Sequence, residues 1–163
     1  MIKKQEITLQ YLEVPDIRDL PGDEQALVKA AREMIGKAYA PYSSFYVGAA
    51  ILLQNGEMIR GSNQENGAYP SGLCAERVAA FAASSIFPGV AMTKIAVSAG
   101  SPKFHLEAPV SPCGACRQVL LEYEASQQLP MKVLLSKEDG KIIIVETIRD
   151  ILPLSFIGSE LKT

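Results

Sequence analysis

All three cysteines of the chain lie in two short motifs, and these motifs constrain the fold more than any other feature of the sequence. Residues 74–77 read Cys-Ala-Glu-Arg, and residues 112–117 read Pro-Cys-Gly-Ala-Cys-Arg. Three cysteines cannot pair completely, and a Cys-x2-Cys spacing with a distant third cysteine is typical of metal or redox chemistry in a reducing compartment. The fold must therefore bring two distant segments together.

Length and charge limit the kinds of protein this chain can be. At 163 residues it is about the size of one domain with its own core. We predict an N-terminal leader or arm over residues 1–22 and a single domain over residues 23–163. Sixteen basic and eighteen acidic residues give a net charge of -2, whereas binding to a polynucleotide backbone normally requires a basic stripe. We therefore predict no nucleic-acid partner.

The N-terminal sequence lacks the pattern of a secretory signal. Lys3 and Lys4 are not followed by an apolar segment, which such a signal requires. No later run approaches the roughly 20 apolar residues that span a bilayer. We therefore expect a cytoplasmic protein without a membrane partner, in agreement with its three cysteines.

Hydrophobic periodicity and turn signals predict an α/β protein. Residues 6–13 alternate like a half-exposed strand, and an Asn-Gly pair at residues 55–56 predicts a hairpin. The predicted strands are 46–53, 58–62, 94–98, 131–135 and 141–145, and the predicted helices are 24–39, 74–85, 113–126 and a short one at 147–152. This order predicts a three-layer sandwich with a mixed central sheet of about five strands and helices on both faces. Functional sites in such sheets gather at strand ends and helix starts, where both motifs lie.

The cysteine spacing matches the needs of a catalytic zinc site, which uses three protein ligands and leaves a fourth position for water. Cys74, Cys113 and Cys116 supply three thiols. At a helix start, Cys113 and Cys116 are one turn apart, and the positive end of the helix dipole favours their thiolates. We therefore predict Zn²⁺ as the cofactor.

Charged residues beside the cysteines complete a reactive site. The carboxylate of Glu76, held beside the fourth position without binding the metal, can take a proton from water and deliver it elsewhere. Three thiolates on a divalent cation leave a negative charge. Arg77 and Arg117 each directly follow a motif, and we predict that both donate hydrogen bonds to the sulfurs.

Two further motifs add a family resemblance. Residues 39–45 read Tyr-Ala-Pro-Tyr-Ser-Ser-Phe, and residues 63–66 read Asn-Gln-Glu-Asn. With the cysteine motifs in this order, the chain resembles the small, homotetrameric, zinc-dependent cytidine deaminases from about residue 24 to residue 161. The resemblance implies a cytidine-deaminase-like catalytic domain over residues 23–163. It also implies hydrolytic deamination of cytidine and deoxycytidine in pyrimidine salvage, by attack of zinc-activated hydroxide at C4.

The same resemblance implies a role for each matching residue. Cys74, Cys113 and Cys116 would bind zinc, and Glu76 would shuttle protons. The pyrimidine nucleoside would be held by the ring of Phe45, the side chains of Asn63 and Glu65, and the backbone around Ala75 and Ser111.

Near the C-terminus, Phe156 matches an aromatic residue that reaches a neighbouring subunit's site in this family, which implies a homotetramer with sites at subunit interfaces. The leader and the loop over residues 100–110 have no clear counterpart in the family.

Three alternative interpretations remain open from the sequence. The cysteines and His105, the only histidine, would form a closed structural zinc site. The Cys-Gly-Ala-Cys segment at a helix start is also the arrangement of thioredoxin-like redox proteins. Among deaminases, those acting on a cytosine-containing antibiotic such as blasticidin S share a similar pair of cysteine motifs.

Overall fold

The computed structural model describes residues 1–161. They fold into one mixed sheet with helices on both faces. The strands are β1 Leu12–Val14, β2 Tyr46–Leu53, β3 Met58–Ser62, β4 Met92–Gly100, β5 Lys132–Lys137 and β6 Ile142–Val145, and the α-helices are α1 Gly22–Ile35, α2 Ala75–Ile86 and α3 Gly114–Gln127. The strand order is β1-β6-β5-β4-β2-β3. The β4–β5 pair is parallel, and the remaining pairs of this sheet are antiparallel.

Strand β2 shows how the sheet separates two cores. Ala49, Ile51 and Leu53 face the core that contains α2 and α3, whereas Ala50 faces the core that contains α1. Successive side chains of a strand point to opposite faces of the sheet. The predicted three-layer α/β sandwich is confirmed.

The sheet has six strands, one more than the prediction of about five. The additional strand, β1, comes from the predicted leader and pairs antiparallel with β6, with Leu12 opposite Ile144. Only the end of the alternating segment 6–13 forms a strand, because the short β6 offers it three partners. The boundary between leader and domain at residue 22 remains a prediction, and residues 162–163 of the predicted domain lie outside the described residues.

Helix α1 ends at Ile35, four residues before the predicted end at Tyr39. Gly36 caps the helix, and the backbone N–H of Tyr39 donates to the carbonyl of Asn63 at 2.9 Å. The segment around Tyr39 thus pairs with the chain after β3, and the helix ends before Pro41. Helical periodicity alone does not reveal this end, because the pairing partner is distant in sequence. Among residues 1–161, none of the helices combines the length and apolar character that crossing a membrane requires.

Helix α2 packs closely on the sheet. A Cβ atom at Gly61 of β3 would lie 2.6 Å from the carbonyl oxygen of Ala75 and 2.6 Å from the backbone nitrogen of Ala79. Such distances are too short for a side chain, so only glycine allows this approach. The inner face of α2 consists of alanines, with Ala80 and Ala83 also buried. The contact fixes the position of the first turn of α2.

A buried carboxylate joins α3 to the last part of the sheet. Glu124 is 6% exposed and accepts hydrogen bonds from the backbone N–H of Met131 at 2.8 Å and of Ile148 at 2.9 Å. The hydroxyl of Thr147 donates to it at 2.5 Å. Glu124 therefore anchors the segment before β5 and the short 3-10 helix Ile148–Ile151 to α3.

We expect Glu124→Gln to lower the free energy of unfolding by about 3 kcal/mol, because its amide would place an N–H donor among buried donors. The melting temperature should fall by about 6–12 °C for a chain of this size. Thermal unfolding followed by circular dichroism measures the change. Glu122→Gln, an exposed residue of the same helix, is the matched control. Equal melting temperatures for the two variants would contradict the anchoring role of Glu124.

Candidate active site

Both cysteine motifs lie at the starts of helices on the same face of the sheet. Cys74 is the N-cap residue of α2 and Cys113 that of α3, and both have extended backbone conformations. Cys116 lies in the first turn of α3. Residues Gln64 and Leu73 exchange two backbone hydrogen bonds, of 2.8 and 2.9 Å, which fix the chain as it enters α2. The two helix starts therefore converge on one point.

The three sulfurs have a spacing that fits zinc. The Sγ atoms of Cys74 and Cys113 are 3.9 Å apart, and all three Sγ atoms lie within 4.8 Å of one another. Tetrahedral zinc with Zn–S bonds of about 2.3 Å requires sulfurs about 3.8 Å apart. The donor set and its spacing thus match a zinc ion with three thiolate ligands.

The thiols of Cys74 and Cys116 differ in pKa. Hydrogen bonding from Cys116, and then from Arg77, lowers the pKa of Cys74 to about 5 against the opposing effect of burial. The hydrogen bond to Cys74 and burial raise the pKa of Cys116. Cys74 is therefore more readily ionised than Cys116, and a thiol must be deprotonated to bind a metal.

The two arginines occupy different surroundings. Arg77 Nη2 donates to Cys74 Sγ at 3.6 Å, as the sequence predicts. Arg117 instead donates to the carbonyl oxygens of Pro112 and Ile151, both at 2.8 Å, and to the hydroxyl of Ser111 at 2.9 Å.

The prediction that Arg117 donates to a sulfur is therefore corrected. Successive helix residues point about 100° apart, so a residue directly after Cys116 faces away from that thiol. Arg117 holds the backbone that leads to Cys113 and acts on the cysteines only through that backbone.

Glu76 is the buried acid of the site. Its side chain is 4% exposed and lies in the first turn of α2. Burial raises the pKa of Glu76, and the negative charge of Cys74 raises it further. A carboxyl group with a raised pKa exchanges protons more readily near neutral pH than an ordinary glutamate does.

A cavity of about 680 Å³ joins the cysteines to the other candidate residues. Its walls include seven of the residues singled out for substrate, metal or proton chemistry, namely Phe45, Asn63, Glu65, Cys74, Glu76, Ser111 and Cys113. Ala75 is fully buried and is, with Cys116 and Phe156, outside this lining. Within one chain, the structure thus brings together all the side chains that were predicted to contact the ribose or the base, except that of Phe156.

Asn63 and Glu65 also have structural partners that the sequence does not reveal. Asn63 Oδ1 accepts from the N–H of Val47 at 2.7 Å, and Asn63 Nδ2 donates to the carbonyl of Phe45 at 2.9 Å. Glu65 accepts from the N–H of Tyr42 at 2.9 Å and from the Ser43 hydroxyl. The Ser43 hydroxyl in particular holds the pKa of Glu65 below its usual range. Both side chains therefore fix the segment that carries Phe45.

Some cavity residues were not predicted from the sequence. They include Tyr42, Tyr69, Leu73, Val97, Ala99 and Val110. Val97 and Ala99 are alternate residues of β4, and their position follows from the pairing of β4 with β2. That pairing is a long-range property, whereas the strand itself is visible in the sequence.

His105 lies away from the sulfurs. It borders a separate cavity of about 100 Å³ together with Gly100 and Lys137. Within the described residues, the cluster that could hold a metal consists of the three cysteines without this histidine. The geometry thus disfavours the closed structural zinc site.

Comparison with known proteins identifies the family. The sequence profile described as "Cytidine and deoxycytidylate deaminase zinc-binding region" matches residues 21–131. This chain belongs to the cytidine and deoxycytidylate deaminase family. The matched region includes all three cysteines, so the zinc-binding character of the family agrees with the cluster and confirms the prediction of Zn²⁺ as cofactor.

Similarity to individual family members extends over most of the chain. The cytidine deaminase of Halalkalibacterium halodurans is 40% identical over 140 residues, covering 86% of this chain and 98% of that protein. The cytidine deaminase of Sporosarcina psychrophila is 40% identical over 141 residues, covering 86% and 96%. The crystal structure of the cytidine deaminase from Burkholderia pseudomallei superposes with a TM-score of 0.70 at 38% identity, covering 80% and 97%. The predicted family resemblance is confirmed.

We expect the purified protein to contain about one zinc per chain, measured by inductively coupled plasma mass spectrometry. Cys113→Ser should lose most of this zinc on dialysis, because one thiolate of a three-thiolate set is removed. His105→Ala should keep it. A His105→Ala protein without zinc would instead favour the closed four-ligand site.

Proposed function

We propose that this chain is a zinc-dependent hydrolase that converts cytidine and deoxycytidine into uridine and deoxyuridine with release of ammonia. The observation that carries the proposal is the position of the buried Glu76 in one cavity with thiols spaced for zinc. Family membership and relatives named cytidine deaminase support it. The reaction belongs to pyrimidine salvage.

Glu76 performs the proton transfers of the proposed reaction. Cys74, Cys113 and Cys116 would hold the zinc, which would supply the Lewis acidity that activates a water molecule towards C4 of the pyrimidine. Glu76 takes a proton from that water and delivers it to N3 as the water oxygen bonds to C4. It then transfers the remaining proton of that oxygen to the amino group, so that the C4–N bond breaks, ammonia leaves and a carbonyl remains at C4. The raised pKa of Glu76 suits a group that must both accept and release protons.

The remaining candidate residues hold the nucleoside. Phe45 contacts one face of the base, and the backbone around Ala75 and Ser111 reads its edge. Asn63 and Glu65 bind the ribose hydroxyls. Because hydrogen bonds to the neighbouring backbone already fix Asn63 and Glu65, little ordering is needed when the ribose binds.

Two further parts of the proposal concern the location of the protein and the class of its substrate. Three reduced cysteines spaced for zinc suit a reducing compartment, which supports a cytoplasmic location. Asn63 and Glu65 both line the cavity, which favours a ribose-containing substrate over an antibiotic such as blasticidin S.

Parallel assays with cytidine, deoxycytidine, free cytosine and blasticidin S test the substrate class. We expect ammonia release and the ultraviolet change of deamination with the two nucleosides, and much weaker turnover of cytosine because it lacks the ribose. Glu76→Gln should keep the fold and the zinc but lose roughly 10²- to 10⁴-fold in kcat. Turnover of blasticidin S alone would replace the proposed substrate, and substantial activity of Glu76→Gln would remove its role as proton shuttle.

We further propose a homotetramer in which Phe156 reaches the site of a neighbouring subunit. Phe156 is 55% exposed and does not line the cavity of its own chain. Tyr69 is also exposed at the cavity, and its ring meets that of Tyr42 edge-on with centroids 6.0 Å apart. Tyr42 and Tyr69 thus form a pair of exposed aromatic rings beside the cavity, and contiguous exposed apolar surface marks an interaction site.

Subunit mixing tests this assembly. Light scattering should give the mass of four chains, and Phe156→Ala should raise KM by about three- to tenfold through loss of one aromatic contact. Co-expression of Phe156→Ala with Glu76→Gln should create some sites with wild-type KM, because an intact Glu76 then meets an intact Phe156 of another subunit. A mixed population without such sites, or a fully active monomer, would contradict the proposal.

A further inference from the structure

The loop between β4 and α3 places a second aromatic ring against Phe45. Phe104, in the segment 101–110, lies with its ring centroid 6.1 Å from that of Phe45 and an angle of 15° between the ring planes. Nearly parallel rings at this separation form an offset stack. We propose that Phe104 is a positioning residue that holds the Phe45 ring in place for the nucleobase; this inference rests on the proposed function.

The backbone of Phe45 is already fixed from both sides. Its N–H donates to the Ser43 hydroxyl at 3.0 Å, and its carbonyl accepts from Asn63 Nδ2 at 2.9 Å. Ser43 is in turn bonded to Glu65. These bonds determine where the Cα of Phe45 lies but leave the side-chain torsions free. The orientation of the ring must therefore come from a packing contact.

Phe104 makes that contact from outside the substrate cavity. Phe45 lines the cavity of about 680 Å³, and Phe104 is not part of its lining. Phe104 borders the separate cavity of about 100 Å³, beside His105 and Lys137. Because Phe104 stacks on Phe45 without lining the larger cavity, it leaves that cavity available to a planar ligand.

The location of Phe104 predicts which kinetic constant depends on it. Its side chain is 47% exposed, so its loss removes little core packing. Neither Phe104 nor Phe45 belongs to the cysteine and Glu76 group that performs the chemistry. Without Phe104, the Phe45 ring is free to change rotamer. Ordering that ring when the base binds costs entropy, which weakens binding. The effect of Phe104 should therefore fall on KM rather than on kcat.

Kinetics of the full-length, zinc-loaded enzyme with cytidine test the inference. Phe104→Ala should raise KM by about three- to tenfold, the range expected for an aromatic pair, with kcat changed less than about twofold. Phe104→Tyr should restore the KM because it keeps the stacked ring. His105→Ala, the exposed neighbour in the same loop, is the matched control and should leave both constants unchanged.

A double-mutant cycle separates action through Phe45 from any other effect. In a Phe45→Ala background, Phe104→Ala should raise KM no further, because the ring that it holds is absent. Additive effects, an unchanged KM in Phe104→Ala, or a loss confined to kcat would overturn the inference while the proposed function stands. A zinc-loaded wild-type protein that deaminates no pyrimidine nucleoside would overturn the proposed function, and the role of Phe104 with it.

Discussion

The close packing of α2 and α3 on one face of the sheet is the constraint on which the site depends. Cys74 and Cys113 begin these two helices, so any change in helix position moves the sulfurs relative to each other. On the α2 side the position is set by direct backbone contact with Gly61. On the α3 side it is set by Arg117 and by the carboxylate of Glu124. The metal geometry is thus a product of packing rather than of local sequence.

Three polar side chains around the cavity, those of Asn63, Glu65 and Arg117, have more than one partner each. Glu65 and Asn63 face the cavity and also hold the turn and strand that present Phe45. Arg117 bonds three groups of the backbone and side chains around Ser111. Such sharing gives the site rigidity before any ligand binds. It also means that a substitution at Glu65 changes both the cavity lining and the turn that leads to Phe45.

Local patterns in the sequence account for the family, the layered α/β fold and the cysteine cluster. The helix starts at Cys74 and Cys113 could be predicted because turn signals such as Pro70, Gly72 and Pro112 and the spacing of ligands are short-range properties. Three other features depend on contacts between distant residues and could not be predicted in this way. They are the hydrogen-bond partners of Arg117, the position at which α1 ends and the extent of the sixth strand. The alternation of residues 6–13 is a local strand signal, but only the pairing of Leu12 with Ile144 decides which part of that segment forms a strand. The contact of Phe104 with Phe45 belongs to the same long-range class, since a loop carries no periodicity.

The parallel β4–β5 pair has a consequence for the order of events during folding. A parallel pair needs a crossover connection, here α3 with its two cysteines, and such long-range pairing forms slowly. The pairing of β2 with β4 joins the two halves of this sheet, and Cys74 and Cys113, which follow β3 and β4 along the chain, lie together in the completed sheet. Because a metal site is rarely preformed in an unfolded chain, we expect tight metal capture to follow sheet formation, so that zinc uptake by refolding chains reports on completion of the sheet.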